Sequence, residues 1–112
     1  ESGEKPLANI TLLVDGEEKQ TQAEGCGPVD AAFMAIERII CSGTTLQLYS
    51  VNNITKGTDA QGEVSVRLEK DGRIINAHGA DTDIVIASAR AYINAINKVL
   101  SLKPRKHPHQ AV

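Results

Sequence analysis

The chain has 112 residues, of which 41% are hydrophobic and 23% charged, and its formal net charge is -2. These values are typical of one compact soluble domain and argue against a disordered or fibrous protein. The weakly acidic charge argues against nucleic acid as a partner, because phosphate binding requires a basic surface. No apolar stretch approaches the ~20 residues that cross a bilayer and no signal-peptide pattern is present, so we expect a cytoplasmic protein without a membrane partner.

The first third of the chain predicts a β-hairpin followed by a helix. Ala8 to Val14 has the character of a strand, Asp15-Gly16 of a tight turn, and Glu18 to Glu24 of a return strand with one face on solvent. Proline at a first helical position presets φ, so Gly27-Pro28 indicates the start of a helix. We expect this helix to end near Cys41.

Within the predicted helix, apolar side chains recur at helical spacing, at Val29, Phe33, Ile36 and Ile40. Glu37 and Arg38 fall outside this stripe, and we expect both to face solvent. Cys26 and Cys41 lie at opposite ends of the helix, too far apart for a disulfide. We expect two reduced cysteines and, for Cys26, a small buried side chain rather than a reactive thiol.

The middle of the chain, from Thr44 to Thr55, has the β-branched and alternating character of a long strand. Strict alternation divides its side chains between two faces. One face is predicted to contain Leu46, Leu48 and Ser50, and the other Gln47, Tyr49 and Val51. The next four residues, Lys56 to Asp59, are predicted to form a loop.

A second hairpin and helix follow. Gly62 to Leu68 and Arg73 to His78 are predicted strands joined by another Asp-Gly turn. Gly79 is expected to break the second of these strands, and Asp81 or Thr82 to cap the helix that follows.

The second helix is predicted to be the longer one and to have two stripes of different size. The larger side chains are Val85, Ala89, Tyr92, Ile96 and Val99, and the smaller ones are Ile84, Ser88, Ala91 and Ala95. We expect the larger stripe to pack on the sheet and the smaller one to be available to another element, such as a second subunit.

The two hairpin-plus-helix segments repeat with similar turns and glycines, which predicts internal pseudo-twofold symmetry. The expected fold class is α+β, with two pseudo-symmetric units of antiparallel strands and two helices packed on the sheet. We expect a single domain, with residues 6–102 as its core and residues 103–112 as a mobile polar tail.

The sequence shows no motif for catalysis or for a metal. His107 and His109 lie in the tail without partner ligands, and there is no phosphate loop, nucleophile elbow or Cys-His pair. Asp59, Asp81 and Asp83 are explained by turns and helix capping. We therefore predict no catalytic residue, no metal and no cofactor, although either helix start could hold a carboxylate with its backbone N-H groups.

Three segments of the chain resemble the regulatory domain of 2-isopropylmalate synthase. They are Gly25-Cys26-Gly27-Pro28-Val29-Asp30-Ala31-Ala32-Phe33, Thr58-Asp59-Ala60-Gln61-Gly62-Glu63-Val64 and Asp81-Thr82-Asp83-Ile84-Val85-Ile86-Ala87-Ser88-Ala89. The resemblance covers nearly the whole chain, and it departs from the family's Gly-Asn-Gly-Pro motif at Cys26. Citramalate synthases have a similar domain, so isoleucine is an alternative effector to leucine.

The resemblance implies two βββα-type units, a homodimer, and leucine bound near the dimer interface. It also implies that catalysis belongs to a separate domain, a TIM barrel with a divalent metal that condenses acetyl-CoA with 2-oxoisovalerate. These residues contain no such barrel, so the chain is expected to be a regulatory fragment rather than an enzyme. A purely structural dimerisation module is the alternative from another class.

Position by position, the family's leucine pocket corresponds to nine residues of this chain. They are Gly25, Gly27, Val29, Asp30, Leu46, Tyr49, Asn53, Ala60 and Gly62. Each has a simpler structural interpretation by itself, such as backbone freedom for the glycines or core packing for Val29 and Leu46. Some family members have small apolar residues where Asp30 and Asn53 stand, which makes the class of ligand more secure than its identity.

Overall fold

The computed structural model describes residues 4–56 and 59–102. They form five strands and two helices in the order ββαβββα, which confirms the predicted α+β class. The elements are β1 (Leu7–Val14), β2 (Glu17–Glu24), α1 (Pro28–Ile40), β3 (Thr45–Lys56), β4 (Asp59–Lys70), β5 (Arg73–Asp81) and α2 (Ile84–Leu100). β1 and β2 form one antiparallel sheet, and β3, β4 and β5 form a second one with β4 in the centre.

The strands of the second sheet are longer than the sequence pattern predicts. β3 extends to Lys56, and β4 begins at Asp59 rather than at Gly62. Two of the predicted loop residues, 57 and 58, lie outside the described residues, as does the predicted tail with His107 and His109.

Both hairpins turn at the Asp-Gly pairs that the sequence predicts. Asp15 and Gly16 have φ values of 52° and 78°, and Asp71 and Gly72 have values of 53° and 78°. Positive φ at both central residues is the requirement of the type I′ turn, whose twist matches that of antiparallel strands. The hairpins β1–β2 and β4–β5 are therefore connected in the same way, as expected of a repeated unit.

Helix α1 begins at Pro28 and ends next to Cys41, as predicted. Cys41 has a left-handed φ of 51°, and its backbone N-H donates to the carbonyl of Glu37 at 2.8 Å, which closes the last turn. Both cysteines are free and exposed, so the prediction of a buried Cys26 side chain was wrong. The reason is that Cys41 follows the last turn and Cys26 precedes the first, so neither lies on the packed face of α1.

Gly79 does not break β5, contrary to the prediction, and the strand continues to Asp81. A Cβ atom at Gly79 would lie 2.5 Å from both the carbonyl oxygen of Ala87 and the amide nitrogen of Ala91. The glycine therefore permits β5 to pack directly against the backbone of α2.

The cap of α2 is Asp83, and not Asp81 or Thr82 as predicted. The Asp83 carboxylate accepts hydrogen bonds from the backbone N-H groups of Val85 and Ile86, at 2.8 and 3.3 Å. Asp81 instead accepts a hydrogen bond from the backbone N-H of Asp83 at 2.9 Å. The longer β5 displaces the start of the helix by two residues, and this displacement makes the third acidic or hydroxyl residue the cap.

The small-residue stripe of α2 is buried inside the chain, and the element that approaches it closely is the sheet rather than a second subunit. Ser88, Ala91 and Ala95 are fully buried, and α2 packs on β4 and β5. On its larger stripe, the ring of Tyr92 stacks on that of Phe33 in α1, with centroids 4.3 Å apart. Neither described helix is long and apolar enough to span a membrane.

Glu37 faces the interior rather than solvent, which also differs from the prediction. Its carboxylate accepts hydrogen bonds from the Tyr92 hydroxyl at 2.7 Å and from the Ser42 amide and hydroxyl at 2.9 and 2.6 Å. Lys70 donates to the Ser42 carbonyl at 2.7 Å. We call these four residues the Glu37 cluster, and they join the end of α1 to both α2 and β4. Burial, together with the Glu37 carboxylate, raises the pKa of Tyr92.

Candidate ligand-binding site

The register of β3 against β4 defines which residues of β3 point toward the helices. Tyr49 lies opposite Val66, and Val51 opposite Val64. Residues directly opposite in an antiparallel pair point to the same side of the sheet. Val64 and Val66 are buried in the core beneath α2. The inner face of β3 consists of the residues on that same side, namely Leu46, Tyr49, Val51 and Asn53.

A β-bulge places Leu46 on this inner face. The register shifts between Leu46 and Leu48, so that Leu46 lies opposite Leu68 while Leu48 lies opposite Arg67. Strict alternation predicted that Leu46 and Leu48 share a face, and this prediction was wrong because the bulge inserts one residue, Gln47. The bulge therefore brings two predicted site residues, Leu46 and Tyr49, to the same side of the sheet.

The inner face of β3 is not covered by α2, the helix that covers β4 and β5. Among the described residues, no Cα atom of β3 lies within 8 Å of a Cα atom in either helix. Leu46 and Val51 are each 41% exposed and Tyr49 is 36% exposed, whereas Val66 on the adjacent strand is 1% exposed. An apolar strip about three side chains long is thus open on this side of the domain.

Tyr49 is the residue of β3 that contacts both helices. Its hydroxyl lies 2.7 Å from the hydroxyl of Ser88 in α2. Its ring meets the ring of Phe33 in α1 edge to face, with centroids 6.1 Å apart and an interplanar angle of 74°. These contacts fix the middle of the exposed strip against the helix layer.

Three further predicted residues continue the same face toward the start of α2. Asn53 is paired with Gly62, and Ala60 lies two residues before Gly62 on the same side of β4. Asn53 and Ala60 are exposed, while Gly62 is buried. The side chain of Ile84 occupies the space that a Cβ atom at Gly62 would need. Gly62 therefore provides the space into which the Ile84 side chain of α2 packs.

The two glycines at the start of α1 have different roles. A Cβ atom at Gly25 would collide with the backbone of Ala31, so Gly25 permits close packing of the chain on the helix. Gly27 is the residue that precedes the helix, with an extended φ of -151°, and a Cβ atom there would meet nothing within 4 Å. Open space at Gly27 means that neither backbone conformation nor packing within this chain requires a glycine there.

The remaining predicted residues lie on the first turn of α1. Val29 is half-buried and packs against the core. Asp30 is exposed, and one of its carboxylate oxygens accepts a hydrogen bond from the backbone N-H of Cys26 at 2.8 Å. The Asp30 side chain therefore stabilises the connection between β2 and α1, whatever else it binds.

The nine predicted residues form two groups in the structure. One group lies along the inner face of β3 and the start of β4, and the other lies at the start of α1. Phe33, one helical turn after Val29, links them through its contact with Tyr49. Two surface cavities, of about 430 and 200 Å³, lie elsewhere along β1 and the helices and are lined by none of the nine residues.

The polar groups near the two helix starts differ. In α1, no side chain caps the first turn, whereas Asp83 caps α2. The hydrogen bond from the backbone of Asp83 lowers the pKa of the Asp81 carboxyl, with a further contribution from Arg90.

Within residues 4–56 and 59–102, no three His, Cys, Asp or Glu side chains are grouped so that they could hold a metal ion.

Comparison with known proteins identifies the family of the chain. Residues 1–100 match the family described as the LeuA allosteric (dimerisation) domain. The chain belongs to this family. The resemblance inferred from the three sequence motifs is thereby confirmed, and the fold and surfaces described above are those of a LeuA domain.

Several relatives of this LeuA domain are 2-isopropylmalate synthases. Those of Thiobacillus denitrificans and Nitrosomonas europaea are 60% and 62% identical over 108 residues, which is 96% of this chain and 21% of each relative. That of Hydrogenovibrio crunogenus is 57% identical over 112 residues, which is the whole chain and 22% of the relative. The chain thus spans about a fifth of the length of the curated relatives it matches.

Two residues next to the candidate site of this LeuA domain are not among the predicted nine. Ser88 bonds Tyr49, and Phe33 contacts its ring. Phe33 gave no separate signal, because it fits the apolar stripe of α1. Ser88 did give a signal in the sequence, because a hydroxyl within an otherwise apolar helical stripe needs a hydrogen-bond partner when it is buried.

Proposed function

We propose that this LeuA domain binds L-leucine and, in a homodimeric cytoplasmic 2-isopropylmalate synthase, conveys feedback inhibition by that amino acid. The family description supports an allosteric and dimerising role, and the relatives support the parent enzyme. The structural observation that supports an amino acid as ligand is the uncapped start of α1, in a chain whose β3 exposes an apolar inner face.

The leucine carboxylate binds at the start of α1 in this proposal. The first N-H groups of a helix have no partner within the helix, and the helix dipole favours an anion there. Gly27 leaves open space at this point, and no side chain of the described residues caps the turn. At α2, by contrast, Asp83 already accepts from the corresponding groups.

The branched side chain of leucine packs on the inner face of β3. Leu46, Tyr49 and Val51 are apolar and each more than a third exposed, so a small apolar ligand can remove further surface from water at roughly 25 cal/mol per Å². The start of α1 and this face are joined through Phe33 and Tyr49. Ala60, Gly62 and Val29 complete the apolar surroundings.

The leucine ammonium group needs oxygen acceptors. Asn53 offers a side-chain carbonyl on the inner face of β3. Asp30 offers the carboxylate oxygen that does not accept from Cys26. A partner subunit at the dimer interface would exclude water from these contacts and strengthen them.

In the parent enzyme, inhibition requires that leucine bind one arrangement of the regulatory and catalytic domains more tightly than another. We place the catalytic domain, which condenses acetyl-CoA with 2-oxoisovalerate and binds a divalent metal, outside this chain. Within the chain we propose no catalytic residue and no cofactor.

Calorimetric titration of the 112-residue chain with leucine, isoleucine and valine tests the proposal. We expect leucine to bind most tightly, and Gly27→Val and Tyr49→Ala each to weaken it, provided that circular dichroism shows both variants folded. Absence of heat with all three amino acids at millimolar concentration would refute the proposal and favour a purely structural dimerisation module.

Two leucines of β3 provide a matched pair for the same titration. Leu46 and Leu48 are 41% and 42% exposed but lie on opposite sides of the sheet because of the bulge. We expect Leu46→Ala to weaken leucine binding about tenfold, the equivalent of ~1.4 kcal/mol, and Leu48→Ala to leave it unchanged. Equal effects of the two variants would contradict a site on the inner face.

A further inference from the structure

Ser88 is a fully buried hydroxyl on the apolar face of α2. Burial of a hydroxyl is unfavourable unless it makes a hydrogen bond, and the partner of Ser88 is the hydroxyl of Tyr49, 2.7 Å away. These two residues are 39 positions apart in the chain. The bond thus connects the buried layer between α2 and the sheet with the exposed inner face of β3.

The ring of Tyr49 lies on a strand whose backbone neither helix covers. It is 36% exposed, and its aromatic neighbour is Phe33, which meets it edge to face. An edge-to-face contact fixes one side of a ring, but a half-exposed tyrosine on an edge strand has other staggered rotamers open to it. The hydrogen bond to Ser88 selects one of them, because the buried hydroxyl reaches Tyr49 in that rotamer.

We propose that Ser88 is a positioning residue for the ligand site. It holds the Tyr49 ring across the gap between α2 and β3, so that the ring keeps its place between Leu46 and Val51 in the apolar strip that receives the ligand's branched side chain. This inference rests on the proposed leucine site, and it adds a residue that itself contacts no ligand.

The first test is a double-mutant cycle on leucine affinity, with Ser88→Ala, Tyr49→Phe and the variant that combines them. We expect each single variant to weaken binding about tenfold, in line with the loss of one well-oriented hydrogen bond. The combined variant should be no weaker than either single one, because both remove the same bond. Wild-type affinity in Ser88→Ala, or additive losses in the combined variant, would overturn the inference.

The second test separates positioning from a general loss of stability. Chain labelled with ¹³C at the tyrosine Cδ, a ring carbon that does not carry the hydroxyl, has two signals, from Tyr49 and Tyr92, and Tyr49→Phe assigns them. Ser88→Ala should shift the Tyr49 signal. The control is Ser42→Ala, which removes the hydroxyl of the other buried serine and should lower the melting temperature without moving the Tyr49 signal or the leucine affinity.

The two tests also distinguish this inference from the proposed function. If the wild-type chain binds no leucine, the proposed function fails, and the Tyr49 signal still decides whether Ser88 orients the ring. A Tyr49 signal that stays in place in Ser88→Ala would overturn the positioning role whatever the chain binds.

Discussion

The two helices of the domain begin differently, although the segments that lead to them are alike. Each follows a hairpin with an Asp-Gly turn and a glycine that packs against helix backbone, Gly25 before α1 and Gly79 before α2. The first turn of α2 is capped by Asp83, whereas no side chain caps that of α1. The comparison teaches that one repeated scaffold provides two helix starts, of which one is capped by a side chain of its own chain and the other is not.

The largest effect is expected at the two packing glycines. Gly25→Ala and Gly79→Ala each place a Cβ atom against helix backbone that cannot move without separating strand and helix. We expect each to lower the free energy of unfolding by about 3 kcal/mol or more.

Urea denaturation measures these two losses, and Gly16→Ala is the control. Gly16 has a φ of +78° and nothing within 4 Å of a Cβ atom, so only backbone strain of about 1 to 2 kcal/mol is expected there. Tolerance of one packing glycine substitution but not of the other would break the equivalence of the two units.

A smaller effect is expected where the Glu37 cluster holds the two helices together. Tyr92→Phe removes the hydrogen bond to the Glu37 carboxylate, and hydrogen bonds to charged groups contribute about 1.5 to 3 kcal/mol. We expect a loss of stability near the lower end of this range at neutral pH, measured by urea denaturation.

Tyr92 also predicts that the free energy of unfolding depends on pH. Burial raises the pKa of Tyr92 above its ordinary value of 10.0, so the folded state retains the tyrosine proton more tightly than the unfolded state does. This contribution is complete below pH 10.0 and decreases as the pH rises beyond it. Tyr92→Phe should therefore reduce the fall in stability above pH 10.0, and an unchanged fall would contradict the assignment.

The difference in capping can itself be removed. Asp83→Ala deletes the cap of α2, and we expect it to lower the free energy of unfolding by about 1 kcal/mol. The control is Glu18→Ala, which removes an exposed carboxylate of β2 that caps no helix and should leave the stability nearly unchanged. An Asp83→Ala variant as stable as wild type would mean that α2, like α1, is stable without a side-chain cap.

The smallest change in stability is expected at Gly27, where a substitution should also change the affinity for leucine. Gly27→Ser adds a hydroxyl that can cap α1 in open space, and we expect it to stabilise the domain by a few tenths of a kcal/mol. The same hydroxyl would compete with a ligand carboxylate for the helix N-H groups, so leucine affinity should fall several-fold. Calorimetry and thermal melts measure both quantities.

Gly27→Ala adds a Cβ atom at the same position without a capping group. It should therefore weaken leucine binding less than Gly27→Ser does. Equal affinities for the two variants would mean that the start of α1 does not bind the carboxylate.

The local features of the fold could be predicted from the sequence because their causes are local. Each Asp-Gly pair determines a turn of defined twist, and Pro28 determines where α1 begins. The same reasoning failed for Gly79, since a glycine in a strand has the same sequence signature whether it ends the strand or permits close packing. The cap at Asp83 was misplaced by two residues for the same reason.

The candidate site was harder to predict, because its geometry depends on contacts between distant residues. Alternation along β3 assigned Leu46 to the wrong face, since no residue type marks a bulge in advance. Glu37 was assigned to solvent because its partners, Ser42 and Tyr92, come from other elements. The nine residues of the leucine pocket came from the family resemblance, and their role stays a prediction.

The position of Phe33 between the two tyrosines has a practical consequence. The chain has one phenylalanine, two tyrosines and no tryptophan, and all three rings lie in a single row from β3 through α1 to α2. Its intrinsic near-ultraviolet absorption and emission therefore originate entirely at the junction of the two units. A near-ultraviolet change that a small molecule causes in this protein therefore reports on that junction.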